Sequence, residues 1–216
     1  IFSGGFLAVA WSDFFQGSLM FVGLLLLPII AFFSLPGDTS LFDGLHELNP
    51  ALLNIWGSGG FTLLNLATVA GLVSIGIGFM GSPQVYVRFI AIKSEAEVEK
   101  GKWVAIFYTL LTDTAAVMIG LLGRYMLTKT GQDPETVLGI AGENVLAMLL
   151  NQVMPTVIIG VYIAAVLSAV MSTVDSLLVV ASSAVTRDFY QQIIRPDVDE
   201  KWLMGFSKKV TLSLAL

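Results

Sequence analysis

A cluster of hydroxyls and one carboxylate, Ser172, Thr173, Asp175 and Ser176, interrupts the apolar stretch from Ala164 to Tyr190, AAVLSAVMSTVDSLLVVASSAVTRDFY. An aspartate at the centre of a membrane helix is unfavourable by about 2.5 to 3.5 kcal/mol, and such residues ordinarily face an ion or substrate path instead of lipid. At 100° per residue, Ser172 and Asp175 stand about 60° apart and Ser172 and Ser176 about 40°, so they share one helix face. Ala165, Ala169, Ser172, Ser176 and Ser183 continue that face as a stripe of small side chains, against which another backbone can pack closely. Sodium, like other hard cations, prefers oxygen donors, and this face offers hydroxyls, a carboxylate and backbone carbonyls. Thr173 follows Ala169 by one turn, which lets a carbonyl and two hydroxyls converge on one ion. Serine and threonine in membrane helices also bond the carbonyl four residues back and do nothing further, the role expected of Ser182 and Ser183.

Two more carboxylates lie in apolar runs. Asp13 stands in GGFLAVAWSDFFQGSLMF with Gln16 one turn later, and Asp113 stands in YTLLTDTAAVMIG between Thr112 and Thr114. With Arg88 and the other basic residues assigned to connections and span ends, a cation or a proton is the simplest counter-charge for Asp13 and Asp175. Asp113 stays open between an ion role and hydrogen bonding to its neighbours. Enzyme chemistry finds little support. The one histidine, His46, falls in a loop, and there is no GxxxxGK[ST], no HExxH and no serine paired with a histidine inside the membrane. Zero cysteines exclude disulfides and thiolate metal sites within these residues. No cofactor beyond sodium and no nucleic-acid partner is expected.

The elements that must position these groups are membrane helices. Hydrophobic residues make up 56% of the chain and charged ones 12%, with a mean hydropathy of +0.83. That charged fraction is roughly half of a soluble domain's. The expected organisation is all-α, one membrane domain with spans at about 5–33, 61–89, 103–125 and 155–185, and a partial fifth at 203–216. A start at Ile1 and an end inside an apolar run read as the middle of a longer protein. Arg88, Lys93, Lys100 and Lys102 crowd one connection, and Arg187, Arg195, Lys201, Lys208 and Lys209 crowd another. Only Arg124 and Lys129 remain for the opposite side, so 90–102 and 187–202 read as cytoplasmic and 34–60 and 128–154 as external. The first external loop holds Asp38, Asp43 and Glu47 without a Lys or Arg.

Prolines 28 and 36 bracket the exit of span one. Asn49-Pro50 predicts a short interfacial helix over ALLNIW ending at Trp56, and Asp133-Pro134-Glu135 and Glu143 to Val153 predict two more. In span two, Gly71, Gly76, Gly78, Gly81 and Pro83 predict unwinding near 76–83. Close helix packing at small residues is the competing account of the glycines.

Three motifs, SAVMSTVDSLLVVASSAVTRDFY, GSPQVYVRFIAIKS and WSDFFQG, together resemble the sodium/solute symporter family, nearest its sodium/proline branch. The resemblance implies two inverted five-helix repeats, each with a broken first helix; this chain supplies the last helix of the first repeat, three helices of the second and the start of its fourth. It implies a sodium site at Ala169, Ser172 and Thr173, and a second cation site at Asp13 with Ser172, Asp175 and Ser176. Asp175 departs from the neutral hydroxyl of other members. A substrate wall is implied at Ile75, Gly76, Gly78 and Phe79, where the proline branch carries Trp and Tyr at the positions of Ile75 and Phe79; ring stacking is retained at Phe79 alone. The function so implied is sodium-coupled symport of a small organic solute, proline or a related amino acid first, by alternating access across a bacterial plasma membrane. A cation or proton channel, or a symporter for another small acid, are the alternatives.

Overall fold

A computed structural model describes residues 5–35, 40–54 and 56–216. Pro36, Asp38 and Ile55, named above, lie outside them. The described residues are helical without strands. Four helical stretches are long and apolar enough to cross a membrane: Gly5–Phe33, Leu63–Met80, Glu95–Leu127 and Thr156–Ile194. In chain order the α-helices are α1 (Gly5–Phe33), α2 (Leu41–Leu48), α3 (Leu63–Met80), α4 (Pro83–Ile90), α5 (Glu95–Leu127), α6 (Pro134–Leu138), α7 (Val145–Val153), α8 (Thr156–Ser183) and α9 (Glu200–Ala215).

Residues Phe21–Gly78 and Ala96–Ile163 form one compact unit. Its core joins Leu27 and Ala31 of α1, Leu41 and Leu45 of α2, Ile119 and Leu122 of α5, Leu149 and Leu150 of α7 and Tyr162 of α8. The α2 helix was not anticipated from the sequence. Leu41 and Leu45 sit one turn apart and are both buried, so a polar-looking loop acquires an apolar helical face. The helix expected over ALLNIW shrinks to a 3₁₀ turn at Pro50–Leu53, capped by Asn49 Oδ1 accepting from the Ala51 amide at 2.9 Å. Trp56 meets Phe61 edge to face, with ring centroids 4.8 Å apart. Asp133 caps α6 as its Asp-Pro pattern predicts, accepting from the Glu135 amide at 3.2 Å. Pro28 lies inside α1, not at its exit.

Helix α5 begins at Glu95, inside the stretch read as a connection. Acidic Glu95 and Glu97 fall in its first turn, where the unpaired amides of a helix start favour negative charge.

The other unit comprises Ile1–Met20, Phe79–Glu95 and Ala164–Leu216. Its segment Phe79–Glu95 holds the interruption of the glycine-rich helix, at Gly81 and Ser82 only; the preceding Gly71, Gly76 and Gly78, which belong to the unit described above, remain helical. Pro83 is the physical cause, because proline pushes the residue before it out of the helical region, and Ser82 is extended at φ −70°, ψ 134°. Pro83 then occupies the first position of α4, where its missing N–H costs nothing. Past Ser183, α8 continues as a π-helical run, Ala184–Ile194, before Asp199 caps α9 by accepting from the amides of Lys201 and Trp202. Ser182 departs from its expected role: it is 2% exposed and donates to the Ser207 carbonyl at 3.1 Å while accepting from the Thr211 hydroxyl at 2.8 Å. It therefore ties α8 to α9 instead of bonding within its own helix. Stacked rings of Tyr190, Trp202 and Phe206 and the Arg187–Glu200 ion pair complete that junction.

Candidate functional site

On α8, the Ser176 hydroxyl donates to the Ser172 carbonyl at 3.0 Å, which leaves its lone pairs facing away from the helix. The Ser172 hydroxyl points outward and donates to Asp13 Oδ1 of α1 at 2.5 Å. The second carboxylate oxygen, Oδ2, accepts from Arg88 Nη2 of α4 at 2.5 Å, and the same Nη2 donates to Ser176 Oγ at 2.7 Å. Three helices thus meet in one closed cycle of charge-assisted bonds. The Asp13 side chain is 17% exposed and that of Arg88 45%. A cavity of 350 Å³ opens beside the pair, walled by Val9, Gln84, Val87, Val179 and Val180.

Arg88 corrects the expectation that these carboxylates lack a protein counter-charge. It was assigned to a cytoplasmic connection, but the break at Gly81–Ser82 restarts the chain as α4 and brings the guanidinium back to Asp13. A buried carboxylate is costly unless paired and hydrogen-bonded, and here both of its oxygens are engaged.

The remaining sequence-predicted residues are placed as follows. Thr173 is exposed, and its hydroxyl donates to the Ala169 carbonyl at 3.3 Å, so the carbonyl and hydroxyl nominated for sodium adjoin on one turn beside Ser172. Asp175 is half-buried and is not drawn into the Asp13 cycle; no hydrogen bond or ion pair joins it to another described residue. Gln16 is one turn from Asp13, and its Oε1 is buried with no hydrogen-bond partner among the described residues. Ile75 and Phe79 are 66% and 61% exposed, and a Cβ added at Gly76 or Gly78 would meet nothing within 4 Å among the described residues. Asp113, in the other unit, is exposed; Thr112 and Thr114 donate to carbonyls of their own helix, those of Tyr108 and Leu110 at 3.0 and 2.6 Å.

The profile of the Sodium:solute symporter family matches residues 1–216, the whole of this chain. The chain belongs to the sodium:solute symporter family. Similar proteins include the high-affinity proline transporter PutP of Bacillus subtilis, 32% identical over 219 residues that cover 99% of this chain and 43% of the relative. The osmoregulated proline transporter OpuE of the same organism is 32% identical over 216 residues, covering 99% of this chain and 41% of the relative. Sodium/proline symporter 2 of Staphylococcus saprophyticus is 34% identical over 200 residues, covering 89% and 35%. The chain therefore spans less than half the length of these relatives. No solved structure matches it.

For this symporter segment, sequence reasoning nominated Asp13, Ser172 and Ser176, which the fold brings into contact, and it missed Arg88. A signal was present. A proline restarts a helix, so a basic residue one and a half turns after Pro83 belongs to an element of its own and need not follow the direction of the span before it.

Proposed function

We propose that the full-length protein is a sodium-coupled symporter that imports a small organic solute by alternating access, with one sodium held at the Ala169 carbonyl and the hydroxyls of Ser172 and Thr173. The observation that carries this reading is the approach of the Thr173 hydroxyl to the Ala169 carbonyl on α8, beside Ser172, whose own hydroxyl bonds Asp13. Hydroxyl and carbonyl oxygens suit a hard monovalent cation. Family membership supports sodium and a solute as the transported pair.

Proline, or a related amino acid, is the first solute to test, because relatives at 32 to 34% identity carry proline in their names. Ile75 and Phe79 form the side of α3 assigned to the solute, with Gly76 and Gly78 allowing it to approach the backbone. Phe79 would stack on an apolar ring but has no polar group to offer it. A bacterial plasma membrane is the expected location.

A channel reading rested on uncompensated intramembrane carboxylates, and the pairing of Asp13 with Arg88 weakens it. The deciding experiment is uptake of radiolabelled proline by the full-length protein in proteoliposomes, with external sodium replaced by choline. Uptake should fall to background in choline; equal uptake in both media removes sodium coupling from the account.

A further inference from the structure

Two of the residues assigned to a second cation site, Asp13 and Ser176, already hold a positive charge between them. We propose that Arg88 is a tethered counter-cation, permanently filling the position between Asp13 and Ser176, so that the transporter binds one sodium where an unfilled site would admit a second. This rests on the sodium reading for Ser172 and Thr173 but concerns a separate site.

The bond directions support it. Both hydroxyl protons of the cycle are committed away from the occupied position, that of Ser172 to Asp13 Oδ1 and that of Ser176 to the Ser172 carbonyl. What faces the position is a carboxylate oxygen and a hydroxyl lone pair, the oxygen set a hard cation uses. Arg88 Nη2 stands there, 2.5 Å from Asp13 Oδ2 and 2.7 Å from Ser176 Oγ. The guanidinium is bonded to the chain, so dilution of external salt does not empty the position. A sodium ion entering beside it would meet like charge at contact distance, with the Asp13 charge already neutralised. The cavity alongside is lined by Asp13, Arg88 and Ser176 together, so removing the guanidinium would enlarge the space at Asp13.

The test is equilibrium binding of radioactive sodium, with no solute present, to the purified full-length protein and its variants. Wild type should saturate with a single sodium. Arg88→Gln should gain one further sodium, and Asp13→Asn in the Arg88→Gln background should lose that gain; Arg88→Lys, which keeps a charge on a shorter, rotatable head, should bind as wild type does. A folded Arg88→Gln protein with no added sodium overturns the proposal. Two sodium ions on wild type overturn it as well, and that count stands even if the variant does not fold. The sodium reading fails separately: if wild type binds none, the site at Ser172 and Thr173 is wrong, while a sodium gained by Arg88→Gln still supports the tethered cation and its absence rejects it.

Discussion

The Ser172 hydroxyl gives its hydrogen to Asp13, which leaves its lone pairs for the sodium proposed beside Thr173. Replacing Ser172 and Thr173 together by alanine removes two of the three proposed sodium oxygens. Hydrogen-bond-like contacts to a charge are worth about 1.5 to 3 kcal/mol each, and 1.4 kcal/mol is tenfold in affinity. The double variant should therefore raise the sodium concentration for half-maximal uptake by roughly a hundredfold or more; an unaltered sodium curve rejects both ligands. At this scale the sequence was legible where residue type and hydropathy disagreed. Asp13 is conspicuous because membrane helices exclude a carboxylate without cause, and Ser172 and Ser176 because they share a helix face beside Asp175. Arg88 was missed because a basic residue at the end of an apolar run is ordinary on a cytoplasmic face, and Pro83, the one local hint, marks a new helix without saying what the guanidinium meets.

The element that places Arg88 is α4, and its direction is set by Ser82 and Pro83. Pro83→Ala restores an amide donor and frees Ser82 to become helical, so α3 and α4 should fuse into one continuous helix. Arg88 would then leave Asp13. Spin labels on α1 and α4 of the full-length protein, read by electron paramagnetic resonance, should report a longer or broader distance in Pro83→Ala, together with reduced uptake; an unchanged distance would mean that tertiary contacts, and not proline, hold the break. Glycine content pointed to the right region but overstated the extent, because Gly71, Gly76 and Gly78 tolerate helix as well as they tolerate its loss. The opposite error hid α2 and delayed the start of α5: both carry enough polar side chains to resemble loops, and only the burial of Leu41 and Leu45 explains why α2 winds.

On the scale of the whole molecule, the distribution of basic residues makes a topological claim that the helices alone do not. Lys100 should face the cytoplasm and Asp133 the exterior. The chain has no cysteine of its own, so single thiols at these positions are clean reporters within it. In intact cells a membrane-impermeant maleimide should label Asp133→Cys and spare Lys100→Cys; the reverse pattern inverts the assignment. The all-α class and four apolar helices were legible because hydropathy over about 20 residues survives any detail of packing. Where those helices end was less so. The fourth apolar helix runs on to Ile194 because its C-terminal end winds as a π-helix, a form no periodicity in the sequence announces.

That winding has a mechanical consequence. A π turn takes more residues than an α turn, and the Arg195 amide accordingly reaches back five residues to the Tyr190 carbonyl at 2.9 Å. The azimuth of Arg187 and Tyr190 is thus set by the π run, and it is this azimuth that meets Glu200 and Trp202 of α9. Rewinding the run to α geometry would turn those side chains away from their partners. Docking of α9 and the pitch of the preceding helix are therefore one variable: α9 acts as a torque clamp, and a force that lifts it lets the end of α8 rotate, beginning two turns below Ser176.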